Sequence, residues 1–405
     1  MKTVQLVSVD EIRDARERLA DVAVLTPLDR SRALSAHCGG ETFIKCENLQ
    51  RTGSFKIRGA YNLISRLDSA ERAAGVVAAS AGNHAQGVAL AASLSGIHAT
   101  VFMPESASLP KVEATERYGA EVKLIGKDFG AAYDAAVAHT EATGSVFVHP
   151  FNHPHVIAGQ GTIGLEIAEQ MDEVGTVVVP IGGGGLISGV AVALSAVSPS
   201  TRIVGVQAAG AAAFPPSLAK GEPVKLETMS TIADGIAANE PGDLTFAHVA
   251  QLVDEVVTVS DDAIAQALVM VAERMKLVLE PSGAAGVAAV MGKLGHLEPP
   301  VLVILSGGNI DPLLLLRVIR FGLGVSGRYF AFHTRIADRP GELHRLLGLI
   351  AETGASIVGV EHHREGVAVH LGEVDVILQL ETRGVPHIQE LSDRLNAEGY
   401  VVEPF

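Results

Sequence analysis

The chain has no tryptophan, few aromatic residues and only two cysteines, Cys38 and Cys46. Two thiols make no disulfide framework, and their spacing matches no metal motif, so both read as structural. No window is apolar for long enough to span a membrane. The start, MKTVQLVSVDEIRDA, lacks a basic segment followed by a long apolar core. No secretory signal is visible, and a cytoplasmic location is expected. Positive charge is also scarce: the formal net charge is −15, and no basic patch stands out. That argues against a nucleic-acid or anionic-membrane partner.

What is present is an ordinary globular composition over 405 residues, long enough for two or three structural units. The apolar mass is Ala, Val, Leu and Ile, which suits parallel sheets covered by helices. Ser8-Val9-Asp10-Glu11 is a capping-box pattern ahead of a polar helix. Short β-rich runs then alternate with Ala-rich helical stretches. The runs are TFIK from Thr42, VVAA from Val76, ATVFM from Ala99, EVKLI from Glu121 and SVFVH from Ser145. TVVVP from Thr176, RIVGVQ from Arg202, EVVTVS from Glu255 and VLVIL from Val301 follow. This alternation predicts an α/β fold with a largely parallel sheet. FGLGVSGR, residues 321–328, reads as a linker, which puts a boundary near residue 325. Beyond it come RYFAFHTRI, GELHRLLGLIAETG, SIVGVEH, GVAVHLGEVDVILQLE, VPHIQELSDRLNAEG and YVVEPF. Their order is βαββαβ, the ferredoxin-like pattern.

Four small clusters sit where strands give way to helices, the usual place for ligands in open α/β sheets. PIGGGGLISG follows TVVVP, and its consecutive Gly182, Gly183, Gly184 and Gly185 expose backbone N–H groups at a helix start. That makes a cup for a single phosphate, the alternative being a tight turn that needs positive φ. SAGNHAQG follows VVAA. Ser80 and Asn83 can cap the next helix, or the loop can hold a carboxylate, with Gly82 letting backbone approach it. In LSGGNID, Ser306 can meet a ring nitrogen, or the segment is only a turn. In GSFKIRGA, Lys56 stands at a helix start between Phe55 and Ile57. It is either an exposed lysine of a first turn or a desolvated, nucleophilic amine. One phosphate, one ring nitrogen, one carboxylate and one amine together describe pyridoxal 5′-phosphate bound to an amino acid.

In their order and spacing, these four motifs resemble the fold-type II pyridoxal-phosphate enzymes, and within them the threonine dehydratases (threonine ammonia-lyases). The resemblance runs from about Val9 to Gly322. The tail, with RIADRPGELHRLLGLIAETGASI, resembles a regulatory ACT domain. The resemblance implies a catalytic domain over 1–325, with a smaller subdomain of about 50–155 inserted, and an ACT domain over 326–405. It implies that Lys56 carries the cofactor as a Schiff base and then serves as general base. Phe55 lies near the cofactor ring and Asn83 bonds its 3′ oxygen. Gly182, Gly183, Gly184, Gly185 and Leu186 cradle the phosphate, and Ser306 meets the pyridine nitrogen. Glu280 stands close to the cofactor. Ser54, the loop of Ser80, Ala81, Gly82, Asn83 and His84, and Asn152 face a small hydroxyamino-acid substrate. The implied reaction is β-elimination from threonine or serine to a 2-oxo acid and ammonia. A serine opposite the ring nitrogen suits elimination better than transamination.

Two details narrow this. Serine racemases of the same fold carry a second serine just before the loop glycine, where this chain has Ala81, so racemisation should be poor. Relatives that hold a divalent cation have an acid after the strand matching RIVGV. Here Gln207 to Ala213 offers no carboxylate, so no metal is expected there. Other hydroxyamino-acid lyases, selective for serine or 3-hydroxyaspartate, and a non-catalytic amino-acid sensor remain alternatives. In ADRPGEL, Asp338 is expected to cap a helix opening at Pro340, and Gly341 to admit the carboxylate of an effector such as isoleucine or valine. ACT pairing implies a homodimer or homotetramer.

Overall fold

The computed structural model describes residues 4–364 and 371–405. The chain forms two compact units, Met1–Leu315 and Leu316–Phe405. The GVAVH segment expected to open a strand occupies 366–370, outside the described residues.

In the first unit the elements follow the alternation read from sequence. α1 (Val9–Leu19) starts at a reciprocal capping box, Ser8 accepting from the Glu11 N–H while Glu11 accepts from that of Ser8. β1 (Leu28–Arg30), α2 (Arg32–Cys38), β2 (Thr42–Lys45), α3 (Lys56–Ile64) and α4 (Ser69–Ala74) follow. Next come β3 (Val76–Ala79), α5 (Asn83–Ser95), β4 (Ala99–Met103), α6 (Leu109–Arg117), β5 (Glu121–Leu124), α7 (Phe129–Thr143) and β6 (Val146–Phe147). The chain continues through α8 (Pro154–Gln170), β7 (Thr176–Pro180), α9 (Gly185–Val197), β8 (Arg202–Ala208), α10 (Phe214–Lys220), α11 (Asp243–Leu252) and β9 (Glu255–Val259). α12 (Asp261–Met270), α13 (Pro281–Met291) and β10 (Val301–Ile304) complete the sequence of elements before α14 (Pro312–Val325).

Two sheets result. The larger has the order β1-β2-β10-β7-β8-β9 and is parallel except for β1, a short antiparallel edge the sequence reading did not anticipate. The smaller, β5-β4-β3-β6, is wholly parallel, with strands between residues 76 and 147. Strands such as β7 and β10 are buried along their whole length, as the unbroken Val/Ile/Leu runs require when helices cover both faces. Each sheet has its own core: Ile57, Ile64, Val88, Val101 and Met103 around the small one, and Val177, Val179, Ile187, Ile203 and Ile304 around the large one.

In the second unit β11 (Tyr329–Ala337), α15 (Glu342–Glu352), β12 (Ser356–His363), β13 (Glu373–Glu381), α16 (Val385–Ala397) and β14 (Glu403–Pro404) build an antiparallel sheet of order β12-β13-β11-β14. Phe332, Leu346, Ile350, Val376, Leu378 and Leu391 form its core.

Two local expectations are corrected. The expected linker 321–328 is helical as far as Val325: its Leu, Phe and Val side chains sustain α14 despite two glycines, and the turn comes only at Ser326 and Gly327. Asp338 does not cap α15. The helix opens at Glu342 behind Gly341, which takes φ 97°, and Asp338 instead pairs with Arg364 at 3.2 Å. Among the described residues no helix is long and apolar enough to cross a membrane.

Candidate active site

All four sequence clusters lie in the first unit, and two of them are joined backbone to backbone. Ser54 and Gly307 form an antiparallel bridge. The Phe55 N–H donates to the Ser306 carbonyl at 3.3 Å, and the Gly308 N–H to the Gly53 carbonyl at 2.8 Å. The lysine loop and the loop after β10 are therefore a single rigid piece. Gly53 takes φ 70°, and the Asn309 side chain packs where a Cβ would stand.

Lys56 is the first residue of α3, and its Nζ donates to the Pro150 carbonyl at 3.1 Å above the Phe55 ring. Burial pulls its pKa down to about 8, against the opposing charge of Glu280. An amine whose pKa lies near 8 holds a much larger free-base fraction near neutral pH than an ordinary lysine, which is what a nucleophilic lysine needs. The exposed-lysine alternative does not hold.

The glycine run needs small residues for a reason beyond turn geometry. Only Gly184 has positive φ, at 96°. A Cβ on Gly183 would meet the Phe151 ring at 2.4 Å, and one on Gly185 would meet Phe151 at 2.9 Å. Thr245 braces the loop by donating to the Gly183 carbonyl at 2.6 Å. α9 begins here with no side-chain cap, so its first N–H groups are left for a ligand. Leu186 points into the core beneath.

The capping alternative for Ser80 and Asn83 also fails. α5 starts behind Gly82 with no side-chain cap. Ser80 Oγ accepts from the Gly82 N–H at 3.2 Å within the loop, beside a half-buried Ala81. Asn83 Nδ2 instead donates to Glu280 Oε1 at 2.6 Å. The His84 ring is buried with Nε2 on the Val148 carbonyl at 2.7 Å; desolvation, then the Lys56 charge, push its pKa down to about 3. It is a neutral anchor under the loop. Glu280 precedes α13, and desolvation first, then Asp234, raise its pKa to about 7. Asn152 Oδ1 accepts from the N–H groups of Leu244 and Thr245 at the start of α11.

Three buried polar atoms around these loops, Ser54 Oγ, Asn48 Oδ1 and Ser282 Oγ, have no protein partner. Buried polar groups are nearly always satisfied, so such atoms mark where a polar ligand belongs. Together with two uncapped helix starts, a glycine cradle and a buried lysine of lowered pKa, they fit pyridoxal 5′-phosphate. Gln207, where a metal-binding relative would have an acid, is fully buried and accepts from the Phe214 N–H. Among the described residues no group of three or more His, Cys, Asp or Glu is placed to hold a metal ion.

Phe151, Thr245 and Asn309 were not assigned roles from sequence. Asn309 lies inside LSGGNID and Phe151 stands next to Asn152, but only the fold shows what they touch.

Residues 20–307 match the family of pyridoxal-phosphate dependent enzymes. The chain belongs to that family. It is 49% identical over 397 residues to L-threonine ammonia-lyase of Thermotoga maritima, covering 98% of this chain and 99% of that protein. It is 46% identical to L-threonine ammonia-lyase of Geobacter sulfurreducens, covering 97% and 98%. Among solved structures, maize serine racemase superposes with a TM-score of 0.74 at 41% identity, covering 79% of this chain and 99% of that one. The processed form of threonine deaminase isoform 2 from Solanum lycopersicum gives 0.73 at 38% identity, covering 79% and 91%.

Proposed function

We propose that this chain deaminates L-threonine, and also L-serine, to the 2-oxo acid and ammonia. The observation that carries the reading is Lys56: an amine of lowered pKa, held on the Pro150 carbonyl beside the Phe151 that packs on the glycine cradle, in a loop bonded to that of Ser306. Similarity along nearly the whole chain to two L-threonine ammonia-lyases supports the choice of substrate.

Pyridoxal 5′-phosphate, when bound, supplies the electron sink that lets the α-carbon lose a proton and the β-hydroxyl depart. The protein does the rest by position. The N–H groups at Gly182, Gly183, Gly184 and Gly185 would hold its phosphate, Ser306 would serve its ring nitrogen, and Asn83 would donate to its ring oxygen. The uncapped start of α5, with Ser80 and Ala81 before it, takes the substrate carboxylate. Lys56 Nζ would hold the cofactor and accept the α-proton. Ala81 offers no acidic hydrogen on the other face, so the proton is not returned with inverted stereochemistry. The decisive assay is 2-oxo-acid release from a panel of hydroxyamino acids. Turnover of 3-hydroxyaspartate above threonine would replace this substrate assignment.

The second unit is read as an ACT domain that binds isoleucine or valine in a homodimer or homotetramer. Its βαββαβ order and the open space beside Gly341 at the start of α15 support this. Calorimetry of the intact chain with isoleucine and valine tests it. A true effector must bind with changed affinity when threonine is present, and Gly341→Val must abolish that binding.

A further inference from the structure

Asn309 lies three residues beyond Ser306, and its side-chain amide touches the lysine loop and α5. Nδ2 donates to the Thr52 carbonyl at 2.6 Å and to Asn83 Oδ1 at 2.8 Å, with Gln86 Oε1 further off at 3.5 Å. A main-chain carbonyl can only accept, so Thr52 forces Asn309 to present its NH₂ group on this side. Asn83 must then present its oxygen to Asn309. Its own NH₂ is turned the other way, where one hydrogen meets Glu280 Oε1 at 2.6 Å. The second hydrogen of that NH₂ stays available to a ligand. The polarity of Asn83 is thus set from a backbone carbonyl two bonds of the network away.

We propose that Asn309 is a positioning residue that holds the Asn83 amide as a hydrogen-bond donor toward the ring oxygen of the cofactor. This rests on the reading of the site as a pyridoxal 5′-phosphate cradle. Close packing adds to the constraint, because Asn309 Oδ1 would lie 2.3 Å from a Cβ on Gly53, so the side chain is wedged against the lysine loop.

Asn309→Asp keeps the shape and reverses the polarity. A carboxylate cannot donate to Thr52, and it draws the Asn83 NH₂ toward itself, leaving an oxygen to face the ring oxygen. Holoenzymes reconstituted with pyridoxal 5′-phosphate, or with its 3-deoxy analogue that lacks the ring oxygen, separate this effect from loss of structure. The readout is cofactor retained per chain through serial dialysis. Asn309→Asp should weaken retention of pyridoxal 5′-phosphate about tenfold or more, the scale of one hydrogen bond to a charged group, and leave the analogue unaffected. Asn309→Ala, which adds no charge and covers the case in which the aspartate variant does not fold, should shift retention in the same direction by less. In an Asn83→Ala background neither substitution should have a further effect. Equal loss of cofactor and analogue, or loss of neither, would overturn the role of Asn309 alone. A wild-type protein that holds no cofactor reducible onto Lys56 would overturn the site reading and the inference together.

Discussion

Arg58 and Glu166 stand 108 positions apart, yet Arg58 Nη1 lies 2.6 Å from Glu166 Oε1 in the interior. Arg58 also grips Glu47 through Nε and Nη2, and Lys45 closes the group on Glu166 at 2.6 Å. Arg58 is two residues from Lys56 on α3, so this buried quartet fixes the helix that presents the reactive amine. Arg58→Met should destabilise the protein by about 3–5 kcal/mol, because it strands the buried Glu47 carboxylate and leaves Glu166 with Lys45 alone. Urea denaturation at neutral pH checks it. A loss under about 1 kcal/mol would mean that the carboxylates reach water when the arginine is gone.

Lys56→Ala should abolish turnover, while the protein stays folded and still takes up cofactor through the glycine cradle. Mass spectrometry after borohydride reduction of the wild type locates the attachment. A label on any other lysine refutes the assignment.

Glu280 gives a pH signature. Its pKa is raised from the ordinary 4.5 to about 7 in the folded protein, chiefly by desolvation. Between these values the unfolded chain has released the proton and the folded one retains it, so stability falls as pH rises through the window. The total is at most about 3 kcal/mol. Glu280→Gln should flatten that part of the stability profile, measured as the difference from wild type. An unchanged slope would place the titration elsewhere.

Gly183→Ala should lower cofactor affinity more than tenfold, roughly what about 1.5 kcal/mol of misfit in a packed loop implies. The added methyl meets the Phe151 ring, which must move or push the loop aside. Equilibrium binding of pyridoxal 5′-phosphate decides it, and Phe151→Leu in the same chain should restore part of the loss.

The enzyme should eliminate water from threonine far faster than it racemises serine, and Ala81→Ser should raise the racemisation. Chiral analysis of serine incubations is the measurement. Racemisation by the wild type at a rate comparable to elimination would require a proton donor other than the residue at position 81.

The strands were legible because Val, Ile and Leu runs such as TVVVP and VLVIL have only one way to be buried on both faces. The four ligand loops were legible because each gathers residue types that few structural needs explain together. The finer roles were not. Whether Ser80 or Asn83 caps α5 depends on Glu280 and Asn309, which lie more than 190 positions away. The Arg58 quartet joins α3, β2, the segment after it and α8, and its charges carry no local pattern. The helix through 321–325 was hidden because three glycines and a serine in a short window read as a linker, whereas here the apolar neighbours prevail. At Asp338 the rule for caps met a glycine with positive φ, which starts the helix later.

β10 is the last strand of the first unit to be made, yet it lies between β2 and β7 in the middle of the larger sheet. On the ribosome, β2 and β7 emerge with a gap between them that only residues past 300 can fill. The lysine loop likewise waits for Ser306 and Gly307 before its backbone partners exist. A nascent chain thus carries exposed inner strand edges through most of its synthesis, the state in which parallel sheets are most open to aggregation. Cofactor capture must follow release of nearly the whole unit, and shielding by a chaperone matters most during that interval.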